Sequence, residues 1–326
     1  MPMLDMPLAE LREYQGRSPK PADFDAYWED ALAQMRAVDP QVELIPAEFT
    51  SPVADCFDLY FTGIGGARVH AKFLRPKKIS GQCPAVMQFH GYSMNCGDWQ
   101  SKLCYPASGF CVAALDCRGQ GGLSEDSIPV KGNTKEGMII RGLDDPDPKK
   151  LYFRAVYMDT VQLTNIVMAM EYVDETRVGT SGGSQGGALA LACAALEPRI
   201  NRAAPIYPFL SDYRRVWEMD MAERAYRELR WYFRVFDPNH EREDEVFMRL
   251  GYIDIQNLMP RMKPRVKMFC GLMDDICPPS TQFAAYNKIP GEKEVVIYPD
   301  YGHEGLPMAE DRTYQYMMEM LGQTVL

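Results

Sequence analysis

Residues 177–198 read RVGTSGGSQGGALALACAALEP, and where this stretch turns decides the fold. Gly-x-Ser-x-Gly occurs twice in it, centred on Ser181 and on Ser184. The pattern carries meaning only where a buried strand turns sharply into a helix, because that turn lifts a serine hydroxyl above the sheet edge. With Ser181 at the turn, the helix would have to begin through Gly182, Gly183, Gly186 and Gly187, each about 1 kcal/mol worse than alanine in a helix. With Ser184 there, RVGTSG is the strand, and the helix opens at Gln185 and runs through ALALACAAL to a stop before Pro198. Gly182 and Gly186 then flank the turn, where a side chain would crowd the backbone. Ser184 is the candidate nucleophile, and Ser181 is a small strand residue beneath it.

The same strand-to-helix rhythm extends outward. PAVMQFHG (84–91) and GFCVAALDCRG (109–119) are short apolar runs ending in glycine, and residues 153–173 have helical period. After the central stretch come strand-like 199–209 and 265–274, helical 278–289, strand-like 293–300 and helical 307–321. Upstream, CFDLYFT (56–62) and RVHAKFLRP (68–76) are joined by GIGGA, a hairpin turn. Residues 8–37 read as helical, with Phe24, Tyr27, Trp28, Ala31, Leu32 and Met35 on one face. Alternation of this kind predicts an α/β fold, a mostly parallel central sheet with helices on both faces. The chain reads as a single domain over 1–326, with 1–50 as an N-terminal helical extension. A charged, aromatic-rich helical insertion, 211–262, forms a cap or a subunit interface, and 123–150 is a long polar loop of the kind that serves function.

Composition narrows the partners. The chain has 326 residues, 46% hydrophobic and 25% charged, with a net charge of -10. That excess of acid argues against nucleic acid or an anionic membrane as partner. The longest apolar run, ALALACAAL, is too short to span a membrane. The first residues show no apolar run with a basic flank, and nine cysteines without C-x-x-C spacing read as reduced thiols, so a cytoplasmic protein is expected. Only four histidines are present, none paired with another His or Cys at zinc spacing, so no metal is expected. GIGGAR and GQGGLS lack the third glycine and the following helix of a dinucleotide site, so no cofactor is expected either.

A serine hydroxyl needs a base, and in this fold class the acid and then the histidine follow the serine in the chain. Only His240 and His303 follow Ser184. His240 lies in the charged insertion and reads as a solvated surface residue. His303, in YPDYGHEG just after the last strand, reaches the carboxyl edge of the sheet, where sites of open α/β sheets form. Asp274, first after the run VKMFCGLM, is the expected acid; Asp275 reads as solvated or as a helix cap. The oxyanion donors are expected to be the backbone N–H groups of Gln185, next to the nucleophile, and Tyr92, in the loop QFHGY. His90 reads as a structural support of that loop.

With HGY, RGQGG, GGSQGG, GLMDDICPPSTQFAAYN and YPDYGHE in this order, the chain resembles the acetyl xylan esterase / cephalosporin-C deacetylase family. This is carbohydrate esterase family seven of the α/β-hydrolase superfamily, and the resemblance covers nearly the whole length. It implies Ser184, Asp274 and His303 as catalytic residues and the Tyr92 and Gln185 amides as the oxyanion hole. It also implies deacetylation of short acetylated xylo-oligosaccharides and of cephalosporin C without a metal. A homohexamer, a trimer of dimers with its active sites facing an internal cavity, goes with it. Arg118, Gln120 and Glu304 belong to the motif set. An arginine fork suits bracing of carbonyls or carboxylates, so Arg118 and Gln120 read as loop braces rather than substrate contacts, and Glu304 as a structural neighbour of His303. Trp99 in GDWQ falls either on the pocket wall or in ordinary core. The competing readings are another small-acyl carboxylesterase or peptidase on this fold, and a non-catalytic binding protein.

Overall fold

In the computed structural model, which describes residues 4–131, 137–222 and 224–322, nine strands form one sheet. They are β1 (Glu43–Pro46), β2 (Ala54–Thr62), β3 (Arg68–Pro76), β4 (Cys83–Phe89), β5 (Cys111–Leu115), β6 (Val173–Gly183), β7 (Arg202–Ile206), β8 (Arg265–Gly271) and β9 (Lys293–Tyr298). Their order across the sheet is β1-β2-β3-β5-β4-β6-β7-β8-β9. The pairs β1–β2, β2–β3 and β3–β5 are antiparallel, and the remaining five are parallel. The expected mostly parallel α/β sheet is therefore present.

Strand alternation assigns the two faces. In β4, Ala85, Met87 and Phe89 point into the larger core, whereas Val86 points to the other side; in β5, Cys111, Ala113 and Leu115 face one way and Val112 the other. The first face is covered by the helices Phe24–Arg36, Tyr152–Met168 and Gln185–Leu196. Every residue of Gln185–Leu196 is buried, which explains its unbroken run of small and apolar side chains. The second face is covered by Tyr105 and by the helix Ala309–Met318, through Tyr316 and Met317.

Two expectations need correction. Residues 8–37 are not one helix but Leu8–Leu11 and Phe24–Arg36. Gly16, at φ +83°, and the nearby Pro19 and Pro21 break the chain between them. The strand β1 was not anticipated: all four of its residues are exposed, so no buried alternation marks it. Between β7 and β8 run the helices Tyr213–Glu218, Arg227–Phe236, Glu243–Leu250 and Ile255–Leu258, where the helical insertion was expected. Of the polar stretch 123–150, residues 132–136 lie outside the described residues.

Candidate active site

The sharp strand-to-helix turn at Ser184 forms because glycine surrounds it. Ser184 has φ 57° and ψ −119°, a conformation that costs a non-glycine residue about 1–3 kcal/mol. The elbow is held by Ser184 N–H donating to Ile206 O (3.0 Å) and by Ala188 and Phe209 N–H donating to Ser184 O (3.1 Å each). A Cβ on Gly186 would stand 2.0 Å from the backbone oxygen of Phe89, and one on Gly182 would stand 2.5 Å from the same atom. Backbone cannot move aside as a flexible side chain can. We therefore predict that Gly186→Ala loses more than about 3 kcal/mol of stability in urea denaturation. A midpoint within error of wild type would refute this steric reading of the elbow.

At the carboxyl edge of the sheet, Asp274 is fully buried. Its Oδ1 accepts the N–H groups of Ile276 (2.9 Å) and Cys277 (2.8 Å), which fixes the carboxylate in place. Its Oδ2 lies 2.9 Å from Nδ1 of His303. The His303 ring packs 4.5 Å, centroid to centroid, from the ring of Tyr207. Ser184, His303 and Tyr207 line one cavity of about 600 Å³ with Tyr92, Met94, Arg224 and Ile276. The structure thus brings the three residues to one place and joins two of them. Ser184 and His303 are not hydrogen-bonded; the Ser184 hydroxyl instead lies within reach of the Cys277 thiol. Cys277, whose thiol burial pushes well above its ordinary pKa, escaped the sequence reading. Asp275 is exposed and paired with Arg224 (3.3 Å), and His240 lies in the insertion, stacked on Phe233.

The loop after β4 and the start of the helix Gln185–Leu196 meet above this cavity. Among the described residues, neither the Tyr92 nor the Gln185 N–H donates to another group of the chain. Gln120 links the two segments: its Oε1 accepts Ser93 N–H (2.9 Å), and its amide exchanges bonds with that of Gln185 (2.8 and 3.2 Å). Arg118 is buried and forks onto Asp159, with Nε to Oδ2 at 2.7 Å and Nη2 to Oδ1 at 2.6 Å, while Nη1 donates to Ile64 O (2.9 Å). Both side chains are committed to hydrogen bonds within the chain. His90 accepts Cys117 N–H at Nε2 (2.9 Å) and bonds Gly91 O through Nδ1 (2.7 Å), which settles its tautomer as Nδ1–H. Burial lowers its pKa, so it stays neutral. Glu304 accepts Gly302 N–H (3.1 Å) and steadies the turn that carries His303. Trp99 stacks on Phe49 and does not line the Ser184 cavity.

Sequence spacing also hid two clusters of metal-type ligands. His70, Cys96 and Asp116 come within 4.8 Å of one another, as do Asp274, Cys277 and His303. In the first, His70 is held between Asp116 (2.7 Å) and Asp58 (2.9 Å), and Asp116 also accepts Cys96 N–H and Leu123 N–H. That carboxylate, whose pKa those bonds pull well down against burial, is occupied in tying down the loops beside the site.

Glu228, on the helix Arg227–Phe236, was likewise missed. It accepts the Tyr92 hydroxyl and the N–H groups of Ile139 (2.7 Å) and Ile140 (3.3 Å), so the insertion buttresses the Tyr92 loop. Burial pushes its carboxyl up to about 7, against the pull of the Ile140, Met138 and Ile139 amides. Such a carboxyl keeps its proton in the folded chain while the unfolded chain has lost it. Its contribution to stability is therefore complete below the ordinary value of 4.5 and is lost as pH rises through 7. We expect wild-type stability to fall across that window relative to Glu228→Gln, in urea titrations at a series of pH values; equal slopes for the two proteins would count against it.

Comparison with known proteins fits this geometry. The family model described as acetyl xylan esterase (AXE1) matches residues 1–320. The crystal structure of acetyl xylan esterase 1 from Thermoanaerobacterium sp. JW/SL YS485 superposes with a TM-score of 0.96 at 57% identity, covering 97% of this chain and 99% of that one. Acetyl esterase Axe7A of Xylanibacter ruminicola is 28% identical over 321 residues, 92% of this chain and 70% of that protein. For the fold alone, the α/β hydrolase GrgF from Penicillium sp. sh18 matches at a TM-score of 0.55 and 17% identity, over 82% of this chain and 99% of that one. With an α/β-hydrolase fold and a family match along almost its entire length, the chain belongs to the acetyl xylan esterase (AXE1) family.

Proposed function

We propose that the chain is a serine esterase that removes acetyl groups from short acetylated xylo-oligosaccharides and from cephalosporin C through an acetyl-enzyme. The observation that carries this reading is the buried, doubly anchored Asp274 bonded to His303 in the cavity that Ser184 shares. Asp274 holds His303 with Nδ1–H toward the carboxylate, leaving Nε2 free as base. The Ser184 hydroxyl turns from Cys277 to Nε2 and gives up its proton as Oγ bonds to the acetyl carbon. The carbonyl oxygen becomes an oxyanion, held by the uncommitted N–H groups of Tyr92 and Gln185. Its collapse breaks the bond to the sugar oxygen, which leaves with the proton from His303. Water then adds to the acetyl-enzyme, giving its proton to His303. Acetate departs, and the proton returns to Ser184 Oγ.

The test is acetate release from acetylated xylo-oligosaccharide and from cephalosporin C, beside a series of acyl chain lengths. Acetyl esters are expected to be the best substrates. A preference for butyryl or longer esters, or for peptides, would point to another hydrolase on this fold. Absence of labelling by a serine-directed organophosphate would point to a binding protein.

The proposal extends to a homohexamer in the cytoplasm. In its support, the exposed strand β1 carries Leu44 and Ile45 beside exposed Val42 at a sheet edge, where an apolar, unpaired strand invites another surface. All nine cysteines are free thiols, as a reducing compartment would keep them. No helix of the described residues is long and apolar enough to cross a membrane. Light scattering is expected to return a mass of six chains; a monomer would overturn the assembly without touching the chemistry.

A further inference from the structure

Ser181, set aside as the nucleophile, lines a different space. On the sheet face opposite the elbow helix lies a second cavity of about 330 Å³, within the ~300–1,000 Å³ range of small-molecule sites. Its floor holds Gln88 and Ser181, register partners across β4 and β6. The helix Ala309–Met318 adds Thr313, the Tyr314 ring and, at the rim, Glu310, and exposed Ser101 completes the mouth. Ser184 and His303 do not line it; Gly183 alone is shared with the hydrolytic cavity.

The floor has unused hydrogen-bonding capacity. Thr313 is 6% exposed and Ser181 7%. The Thr313 hydroxyl is buried without a partner, and among the described residues neither the Ser181 hydroxyl nor the Gln88 amide bonds another side chain or backbone group. Buried hydroxyls in native chains find partners, and Thr313 is the one such orphan here; the Ser181 hydroxyl and the Gln88 amide lie open to the cavity with no group of the described residues engaging them, so a partner for this wall comes from outside the chain. Two hydroxyls and an amide together offer donors and acceptors side by side, which is what vicinal hydroxyls of a ligand require. The Tyr314 ring offers an apolar surface for C–H groups. Glu310 at the rim disfavours anions, acetate among them.

We propose that this cavity is a second binding site, separate from the hydrolytic one, for a single neutral sugar of about pentose size. The choice of a sugar rests on the carbohydrate reading of the hydrolytic site; the existence of the site rests on the cavity and the unengaged polar groups that line it. The ligand is held by hydrogen bonds from its hydroxyls to Gln88, Ser181 and Thr313, and no covalent step is involved.

The test titrates D-xylose into the full chain by calorimetry and by saturation-transfer NMR. Wild type is expected to bind it saturably. Thr313→Val and Gln88→Leu, which delete hydrogen bonds at nearly constant volume, are expected to weaken binding about tenfold. Ser101→Trp, at an exposed position that should not disturb folding, is expected to abolish it. Organophosphate-blocked enzyme and Ser184→Ala are expected to bind xylose as wild type does, and Thr313→Val to keep wild-type turnover of p-nitrophenyl acetate. The proposal falls if wild type shows no saturable binding, if Ser101→Trp binds undiminished, or if blocking Ser184 removes binding, which would place the sugar in the hydrolytic cavity. Acetate release is read separately: its failure with xylose binding intact would overturn the esterase reading and support this site.

Discussion

Ser184→Ala is expected to lower kcat for acetyl ester hydrolysis by about 10⁵–10⁶-fold, leaving the small residual rate that binding and oxyanion donors alone supply. No other group at the site is placed to replace the hydroxyl. Cys277, within its reach, is fully buried and its thiol is held protonated by that burial, so little thiolate is available to attack. The elbow does not depend on the hydroxyl, because its backbone bonds to Ile206, Ala188 and Phe209 use main-chain atoms only. The variant should therefore fold and still bind substrate, and the loss should appear in kcat. Ser181→Ala, on the strand below, is the matched control and should retain full activity. Full acetate release by Ser184→Ala, measured with burst-phase kinetics to exclude contaminating enzyme, would refute the proposed mechanism.

Asp274→Asn should lower kcat by about 10⁴-fold with little change in KM. The amide is nearly isosteric, yet it presents an N–H where His303 needs an acceptor. If that N–H faces Nδ1, the ring must carry its proton on Nε2 and can no longer take one from Ser184. The flipped alternative loses the bonds from both Ile276 and Cys277, because Oδ1 now serves both of those amides. Either outcome also removes the negative charge that stabilises the imidazolium. A loss of less than tenfold would show that His303 is oriented by something other than Asp274. The NMR resonance of the His303 Nδ1 proton, expected in wild type and absent in the variant, gives an independent measure.

Much of the site was legible because its rules are local. Five glycines within nine residues left one division of GTSGGSQGG that a helix tolerates, and the close approach of Gly182 and Gly186 to Phe89 O is the contact that division required. Asp274 and His303 could be chosen because each stands just beyond a buried strand, and parallel strands deliver their ends to a common edge. Arg118 was read as a brace from its chemistry, but nothing in the sequence named Asp159 as its partner. The strand β1 was illegible for the opposite reason: an exposed edge strand leaves no buried pattern to read.

By itself, then, the order of glycines, apolar runs and strand-end polar residues determined an α/β sheet, its elbow serine and the two residues expected to serve it. Steric crowding and burial periodicity act between neighbours in the chain, so sequence records them directly. Only the tertiary structure decided which distant groups meet. Arg118 finds Asp159 across 41 positions, and Tyr92 finds Glu228 across 136. Buried polar groups take whatever partner the packed chain brings within hydrogen-bonding distance, and that choice is made by the closing of the core, which no local pattern encodes.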